Sequence, residues 1–343
     1  MSSGSPSKIH VFTHGDLDGL TSAAVYLRAL ERSEAREEVR LHFAEPYSLH
    51  RAMRGALGSS TPALVAIMDL GANPGTFGQV LLLLSKLRAS GTRVEWYDHH
   101  LWEEEHLEKL RSLGVEVKVD LSTCTAGVVA RSLAERGELG EDDCVWQLVE
   151  ATCSADTWSW TSPLSPFLYR VVGTRRGPAG DSWKRALLGE LAECRIWSDD
   201  LSEVAEANLN AELGSYGAEA VAAKVLELPG GLKAAYLVRR RAQPPTSLLA
   251  SYIISRTGSD LVALGRLSGS ISFRSRSKSV RCVASCFGGG GHASAAGARV
   301  NVPVYIRLLG LLASRVEGWW LERRLRKLLL KCASECLPEL LSS

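Results

Sequence analysis

The sequence predicts an α/β fold, a parallel-sheet domain followed by a smaller α/β domain, and three observations predict it. Short apolar runs alternate with helical stretches through the first half of the chain, which is the pattern of βαβ units and a parallel sheet. Three of those runs end in acidic or histidine residues, and in parallel sheets sites collect at the carboxyl ends of strands. Beyond a long polar stretch the character changes at about Lys233, where a second set of strands begins.

Taken in order, Ile9 to Thr13 reads as a short buried strand, with a helix from about Leu20 to Glu34. Leu64 to Met68 is a second apolar run, ending in Asp69-Leu70-Gly71, and Phe77 to Ala89 is helical by length and composition. Val94 to Tyr97 is a third strand, ending in Asp98-His99-His100. Val115 to Val119 is a fourth, after which Ser122 and Thr123 are the cap candidates for a helix over Ala126 to Arg136. A helix from about Cys144 to Asp156 leads into a loop containing Trp and Pro, and Glu190 to Lys224 reads as one long polar helical bridge. Ala234 to Val238, Leu261 to Leu267 and Ser270 to Arg274 read as strands, followed by a basic turn over Arg276 to Arg281 and a glycine run. Trp319 to Leu341 reads as an amphipathic, Arg- and Lys-rich helix. The expected division is a disordered 1–7, a first domain 8–190, a helical linker 191–231, a second domain 232–316 and a terminal helix 317–343.

Length and composition agree with two compact domains: 343 residues, 45% hydrophobic and 23% charged, enough to bury a sizeable core. A net charge of only +2 excludes a protein that coats nucleic acid, so any polyanion must be met by local patches. Arg outnumbers Lys, and Asn and Gln are scarce, from either a hot habitat or a GC-rich genome. None of the eight cysteines, at 124, 144, 153, 194, 282, 286, 332 and 336, forms a C-x-x-C pair or a zinc-finger spacing. They read as reduced, buried thiols. Met1 to Ser7 lacks an apolar signal core, and no segment reaches the roughly 20 apolar residues of a membrane span, so the expected compartment is the cytoplasm.

The chemistry lies at the strand ends. In Thr13-His14-Gly15-Asp16-Leu17-Asp18-Gly19, alternate residues of an extended turn point the same way, so His14, Asp16 and Asp18 can converge. Packing carboxylates so closely is costly unless a cation neutralises them. Asp69 adds a carboxylate from the second strand, Asp98, His99 and His100 add an imidazole pair from the third, and Asp156 is a further candidate. A D-x-D turn or an H-H pair alone is ordinary surface, and Asp120 and Ser122 read as turn and cap residues. The joint pattern at three successive strand ends is not ordinary. Carboxylate and imidazole donors without thiolates favour Mn²⁺, Fe²⁺ or Mg²⁺ over structural zinc, and a carboxylate shared between two ions suits phosphoryl cleavage.

These residues resemble the DHH phosphoesterase superfamily, whose naming motif stands here as Asp98-His99-His100. His14-Gly15-Asp16-Leu17-Asp18-Gly19 is similar to the H-x-D-x-D-G form of RecJ-like and archaeal members, and lacks the longer spacing of nanoRNases and pyrophosphatases, in which Phe12 would be histidine. Asp69-Leu70-Gly71 and Asp156-Thr157 match two further motifs, so the resemblance runs over about residues 8 to 160. It implies one ion on His14, Asp16 and Asp69 and another on Asp18, Asp69, His99 and Asp156, most often Mn²⁺. It also implies that Asp98 orients a histidine and that His100 meets the scissile phosphate. The C-terminal part resembles the DHH-associated domain through Ser272-Phe273-Arg274-Ser275 and Gly288-Gly289-Gly290-Gly291-His292, with Arg274, Gly289, Gly290, Gly291 and His292 as the implied substrate contacts. Arg274 can grip a phosphate in a bidentate fork, and the glycines can offer backbone N–H groups. Arg276, Lys278 and Arg281 are either further phosphate contacts or a solvated turn, and the tail with Trp319, Trp320, Arg323, Arg324, Arg326 and Lys327 either packs or binds a partner.

The expected function is metal-dependent cleavage of short single-stranded RNA or DNA to 5′-mononucleotides; the H-x-D-x-D-G form leans toward RecJ-like enzymes, whereas the compact two-domain length resembles nanoRNases, which implies 3′-to-5′ action, the direction slightly favoured. Alternatives are a linear or cyclic dinucleotide phosphodiesterase, a 3′,5′-adenosine bisphosphate phosphatase, or an inactive replication or repair scaffold. Oligonucleotides or dinucleotides are the expected partners, with no membrane, and a homodimer is allowed for.

Overall fold

In a computed structural model of the chain, the structure describes residues 7–32, 37–58, 61–140, 142–172, 177–240, 244–313 and 315–342. The expectation of disorder for residues 1–7 falls outside these except at Ser7, which opens the first strand. Two compact units emerge, Met1–Glu206 and Ala207–Ser343.

The first unit is built on five parallel strands: β1 (Ser7–Thr13), β2 (Glu37–Phe43), β3 (Leu64–Met68), β4 (Arg93–Asp98) and β5 (Glu116–Val119), in the order β2-β1-β3-β4-β5. The helices between them are α1 (Leu17–Glu31), α2 (Leu49–Leu57), α3 (Phe77–Ala89) and α4 (Glu104–Ser112). α5 (Thr125–Glu135), α6 (Asp143–Asp156), α7 (Ser165–Val172) and α8 (Gly177–Ala192) follow. Alternation along the strands feeds two cores. Ile9, Val11, Ala66, Met68 and Tyr97 pack with α1 and α5 to α8, whereas Phe12, Val65, Ile67, Val94 and Trp96 pack with α2 to α4. Each fully buried Val, Ile, Met or Phe side chain among these contributes roughly 1.5–3 kcal/mol.

The strand order decides where the site is. The chain leaves β1 toward β2 on one side and returns to β3 on the other, so the sheet has its topological switch between β1 and β3. Helices on opposite faces diverge there and open a crevice at the carboxyl ends. The first acidic motif leaves β1 and Asp69 leaves β3, which puts both at that crevice.

Local expectations need several corrections. β2 has no counterpart among them, because Glu37-Glu38-Val39-Arg40-Leu41-His42-Phe43 carries too much charge to read as a buried strand; it is the sheet's edge, where one side is solvated. The cap of α5 is Cys124 rather than Ser122 or Thr123, and its own side chain makes no capping bond. Instead Asp18, from α1, accepts N–H bonds from Thr125 and Ala126 at 2.8 Å each, a carboxylate seated on a helix N-terminus across 107 residues of chain. The stretch Glu190 to Lys224 is not one helix: α8 ends at Ala192, and α9 (Asp199–Ala222) begins after a break. The cysteines are not reduced thiols. All eight pair, as Cys124–Cys153, Cys144–Cys194, Cys282–Cys336 and Cys286–Cys332, with Cα–Cα separations of 4.9, 6.3, 5.9 and 5.7 Å that suit disulfides.

The second unit holds a mixed sheet of β6 (Lys224–Glu227), β7 (Lys233–Arg239), β8 (Leu261–Arg266), β9 (Ser270–Ser275), β10 (Gly290–Gly291) and β11 (Ala295–Arg299), in the order β10-β11-β9-β8-β7-β6. Only β7 and β8 run parallel. One face, with Ala263 and Phe273, packs on α11 (Arg281–Cys286), α13 (Arg315–Glu335) and α14 (Leu337–Ser342); the other, with Val262 and Leu264, packs on α10 (Thr246–Thr257). Before α13 comes α12 (Val304–Leu312). α13 buries Leu321, Leu325, Leu329 and Cys332, a repeat of about one turn that anchors it to the sheet.

Candidate active site

Asp16 is the N-cap of α1, and its Oδ1 accepts the N–H of Gly19 at 3.1 Å. A side chain at position 19 would stand 2.3 Å from the carbonyl oxygen of His14, so the turn closes only with glycine. The second oxygen of Asp16 lies 2.8 Å from His14 Nδ1, and Asp69 Oδ2 lies 3.7 Å from the same nitrogen. His14, Asp16 and Asp69 thus offer donor atoms all within 4.8 Å of one another. A second set, Asp18, Asp69 and His99, is gathered within the same limit. His99 Nε2 stands 3.7 Å from Asp18, 3.7 Å from Asp69 and 3.5 Å from Asp156, which brings in the end of α6. Asp69 is common to both sets.

Asp69 has an unusual backbone, with φ of 57°, a left-handed conformation that Asp tolerates better than most residues. That turn, at the end of β3, aims the carboxylate into the crevice. Its Oδ1 accepts from the Thr125 hydroxyl at 3.2 Å, whereas Oδ2 is buried without a hydrogen-bond donor among the described residues. Burial, and then the charges of Asp16, Asp18, Asp98 and Asp156, push the Asp69 carboxyl well above the usual carboxylate range. Burial and the same crowding raise Asp156 to about 8 and also lift Asp18. On His14, burial opposes the charged form, but Asp16 and Glu45 outweigh it and hold its proton well above the usual range. A buried carboxylate oxygen without a donor, surrounded by other carboxylates that suppress each other's ionisation, is matched by divalent cations. The donor set is oxygen and imidazole, so the residues present fit hard or borderline ions.

Beside these donors lies a third arrangement. His100 Nδ1 and Asp98 Oδ1 are 2.7 Å apart, and the indole N–H of Trp102 donates to Asp98 Oδ2 at 2.6 Å. Despite burial, His100 pulls the Asp98 carboxyl below its usual value, and Asp98 raises His100 in return. Asp98 holds the imidazole through Nδ1, which turns Nε2 away from Asp98.

By sequence the chain matches no protein-family model and no curated protein. Solved structures share its fold. RecJ from Thermus thermophilus, solved with Mn²⁺, aligns over 92% of this chain at 18% identity with a TM-score of 0.56; the chain spans about half of that protein, 52% of its length. A second RecJ exonuclease bound to manganese aligns over 92% of this chain and 90% of its own, at 18% identity and a TM-score of 0.52. The DHH domain of a protein described as belonging to a family of ribosomal proteins covers 85% of this chain and 82% of its own, at 16% identity and a TM-score of 0.54. The fold is the DHH fold.

The DHH fold accounts for the α/β expectation, with its parallel sheet and smaller α/β partner. In the second unit Arg274 lies on β9 opposite Ala295, with its Nε donating to Ser247 Oγ at 3.1 Å and an Nη donating to the Phe273 carbonyl at 2.9 Å. A Cβ on Gly289 would sit 2.0 Å from the Gly297 carbonyl oxygen, so packing alone demands glycine there; its N–H is already donated to the Ala284 carbonyl at 2.8 Å. Gly291 takes φ of 136° opposite Ala296, Gly290 has open space where a side chain would be, and the His292 N–H donates to the Ala295 carbonyl. Sequence reasoning missed Glu45, which reaches His14 Nε2 at 3.3 Å from just beyond β2. Recognising that edge strand would have placed Glu45 on the same rim. It also missed Thr125 and Lys184, whose Nζ comes within 2.8 Å of where a Gly15 Cβ would stand; neither carries a sequence signal.

Proposed function

We propose that this chain is a phosphoesterase that uses two divalent metal ions, most often Mn²⁺, to hydrolyse phosphodiester bonds in short single-stranded RNA or DNA in the cytoplasm, releasing 5′-mononucleotides from the 3′ end. The observation that carries the reading is Asp69, a buried carboxylate shared by two donor sets, with one oxygen left without a protein donor among the described residues. In this reading His14, Asp16 and Asp69 hold one ion, and Asp18, Asp69, His99 and Asp156 hold the other. When bound, such a pair activates water and neutralises charge on the reacting phosphate.

The remaining steps belong to the chain's own residues. His100, fixed through Nδ1 by Asp98, presents Nε2 to the scissile phosphate and can donate a proton to the leaving oxygen. Trp102 keeps the Asp98 carboxylate from rotating away. Asp18 has two roles, since its seat on the α5 N-terminus fixes the carboxylate before any ion arrives. Arg274 and the Gly289–His292 segment serve to hold the nucleotide end, with the planar guanidinium suited to phosphate. The likeness to RecJ exonucleases supports a nucleic-acid substrate. Cleavage of dinucleotides or of a nucleoside bisphosphate is the nearest second activity, because the same centre serves any accessible phosphoester. An inactive scaffold is disfavoured by the complete set of donors.

The test is a digestion time course on 5′-labelled RNA and DNA ladders in Mn²⁺ and in Mg²⁺, with Asp69→Asn beside the wild type. Asn tolerates the left-handed backbone, so the fold is kept. Metal-dependent stepwise shortening that Asp69→Asn lowers by at least about 10³-fold, equivalent to roughly 4 kcal/mol of barrier, is expected. Unchanged turnover in that variant would exclude the centre.

A further inference from the structure

Of the residues that follow the Asp156 end of α6, two carry a backbone conformation that their side chains do not favour. Trp158 has φ of 63° and Trp160 has φ of 54°. For bulky side chains this region is a genuine outlier, and such strain persists where surrounding structure over-determines it. Here Ser154 does so. Its carbonyl accepts the N–H groups of Ser159 at 3.0 Å and Trp160 at 3.1 Å, and its Oγ accepts those of Thr161 at 2.7 Å and Ser162 at 3.1 Å. One buried serine in the last turn of α6 therefore folds the loop back on the helix.

The product of that geometry is an aromatic cluster. The rings of Trp158 and Trp160 meet edge-on at 4.6 Å, and Tyr169 of α7 stands 5.7 Å from each. Trp160 and Tyr169 pack against the core of the first unit, whereas Trp158 is not among the side chains packed there and remains partly exposed. Trp158 is also two residues from Asp156, whose Oδ2 lies 3.5 Å from His99 Nε2. Two residues of chain span at most about 7 Å. Glycine at position 158 would adopt this φ without strain, so the turn itself does not call for tryptophan there.

We propose that Trp158, braced edge-on by Trp160 and Tyr169, is a stacking platform for the nucleobase next to the bond being hydrolysed. This rests on the phosphoesterase reading above and narrows its substrate class to organic nucleotides rather than inorganic phosphates. Base–aromatic stacking tolerates any base and strengthens binding by about 5- to 150-fold.

The test measures binding directly, by calorimetric titration of AMP and of ribose 5-phosphate into the metal-free and the Mn²⁺-loaded full chain, for the wild type, Trp158→Gly and Trp158→Leu. The pair of ligands separates base from sugar and phosphate. The expected result is a wild-type preference for AMP of at least about 5-fold that both variants abolish, with ribose 5-phosphate affinity unchanged. Trp158→Gly is further expected to melt at or above the wild-type temperature, because it relieves the left-handed strain. Equal wild-type affinity for the two ligands, or an AMP preference that survives in Trp158→Leu, overturns the platform. If the ladders are not cleaved and yet the AMP preference depends on Trp158, the platform stands and the reaction assigned to the centre falls. Cleavage with an AMP preference that neither variant alters has the opposite meaning.

Discussion

Asp69 concentrates the physics of this protein in one side chain. It is buried, left-handed in its backbone, flanked by four other carboxylates and unsatisfied at one oxygen. Each of those features costs stability in the absence of cations, and the electrostatic ones are reversed when positive charge is present. The consequence for Asp69→Asn is measurable. Without metal, the variant should be as stable as the wild type or more so, because the amide replaces a buried carboxyl whose ionisation the neighbouring carboxylates oppose. With Mn²⁺, the wild-type melting temperature should rise while that of the variant stays put, following ligand linkage. Thermal melts with and without Mn²⁺ check this; an equal Mn²⁺ shift in both proteins would place the ions elsewhere. The motif spacing identified Asp69, but its left-handed φ depends on the neighbouring strand and could not be read from the residues around it.

Among the elements, β2 shows what a sheet edge does to a sequence. Its charge hides it from pattern reading, yet its parallel pairing with β1 brings Glu45 to His14 and places His42 against His10, with Nε2 and Nδ1 3.0 Å apart. Burial, then the positive charges of His10, Arg185 and Arg40, push the His42 imidazole down to about 4. A depressed value means that the folded state resists a proton the unfolded state accepts near pH 6.5. Stability is therefore level above about pH 6.5 and declines as the pH falls from there toward 4. Urea midpoints of the wild type and His42→Phe at pH 7 and pH 5 test the sign. The wild type should lose more on acidification; parallel losses would show that His42 is not the group that titrates. α5 carries the companion lesson. Its cap candidates stand next to its first turn, but the group that satisfies its N–H donors is Asp18, distant in sequence and adjacent only in the fold.

The whole molecule is stapled. Cys124–Cys153 and Cys144–Cys194 lie in the first unit, and Cys282–Cys336 and Cys286–Cys332 lie in the second. Disulfides are rare in reducing cytosol, except in hyperthermophiles, whose intracellular proteins carry many. Removing such bridges costs typically about 2–4 kcal/mol each, so reduction should lower the melting temperature of both units by several degrees. Alkylation without reductant should leave all the cysteines unlabelled; ready labelling of native protein would return them to the thiol form. Cys124–Cys153 also joins the residue before Thr125 to the helix ending in Asp156, so its reduction should weaken Mn²⁺ affinity as well as stability. Among the described residues, no helix is long and apolar enough to cross a membrane.

By itself the sequence determined which donors exist and the order in which strands deliver them, because apolar runs and the polar residues that end them are local facts. It likewise carried the α/β class and most of the strands. Tertiary structure alone decided that β1 and β3 are neighbours across the switch point, that Asp69 serves both donor sets, that Glu45 and Asp18 have partners far along the chain, and that the cysteines pair. Those outcomes are long-range: each depends on which segments the two cores bring together, and the periodicity of a segment records which of its faces is buried but not which other segment covers it.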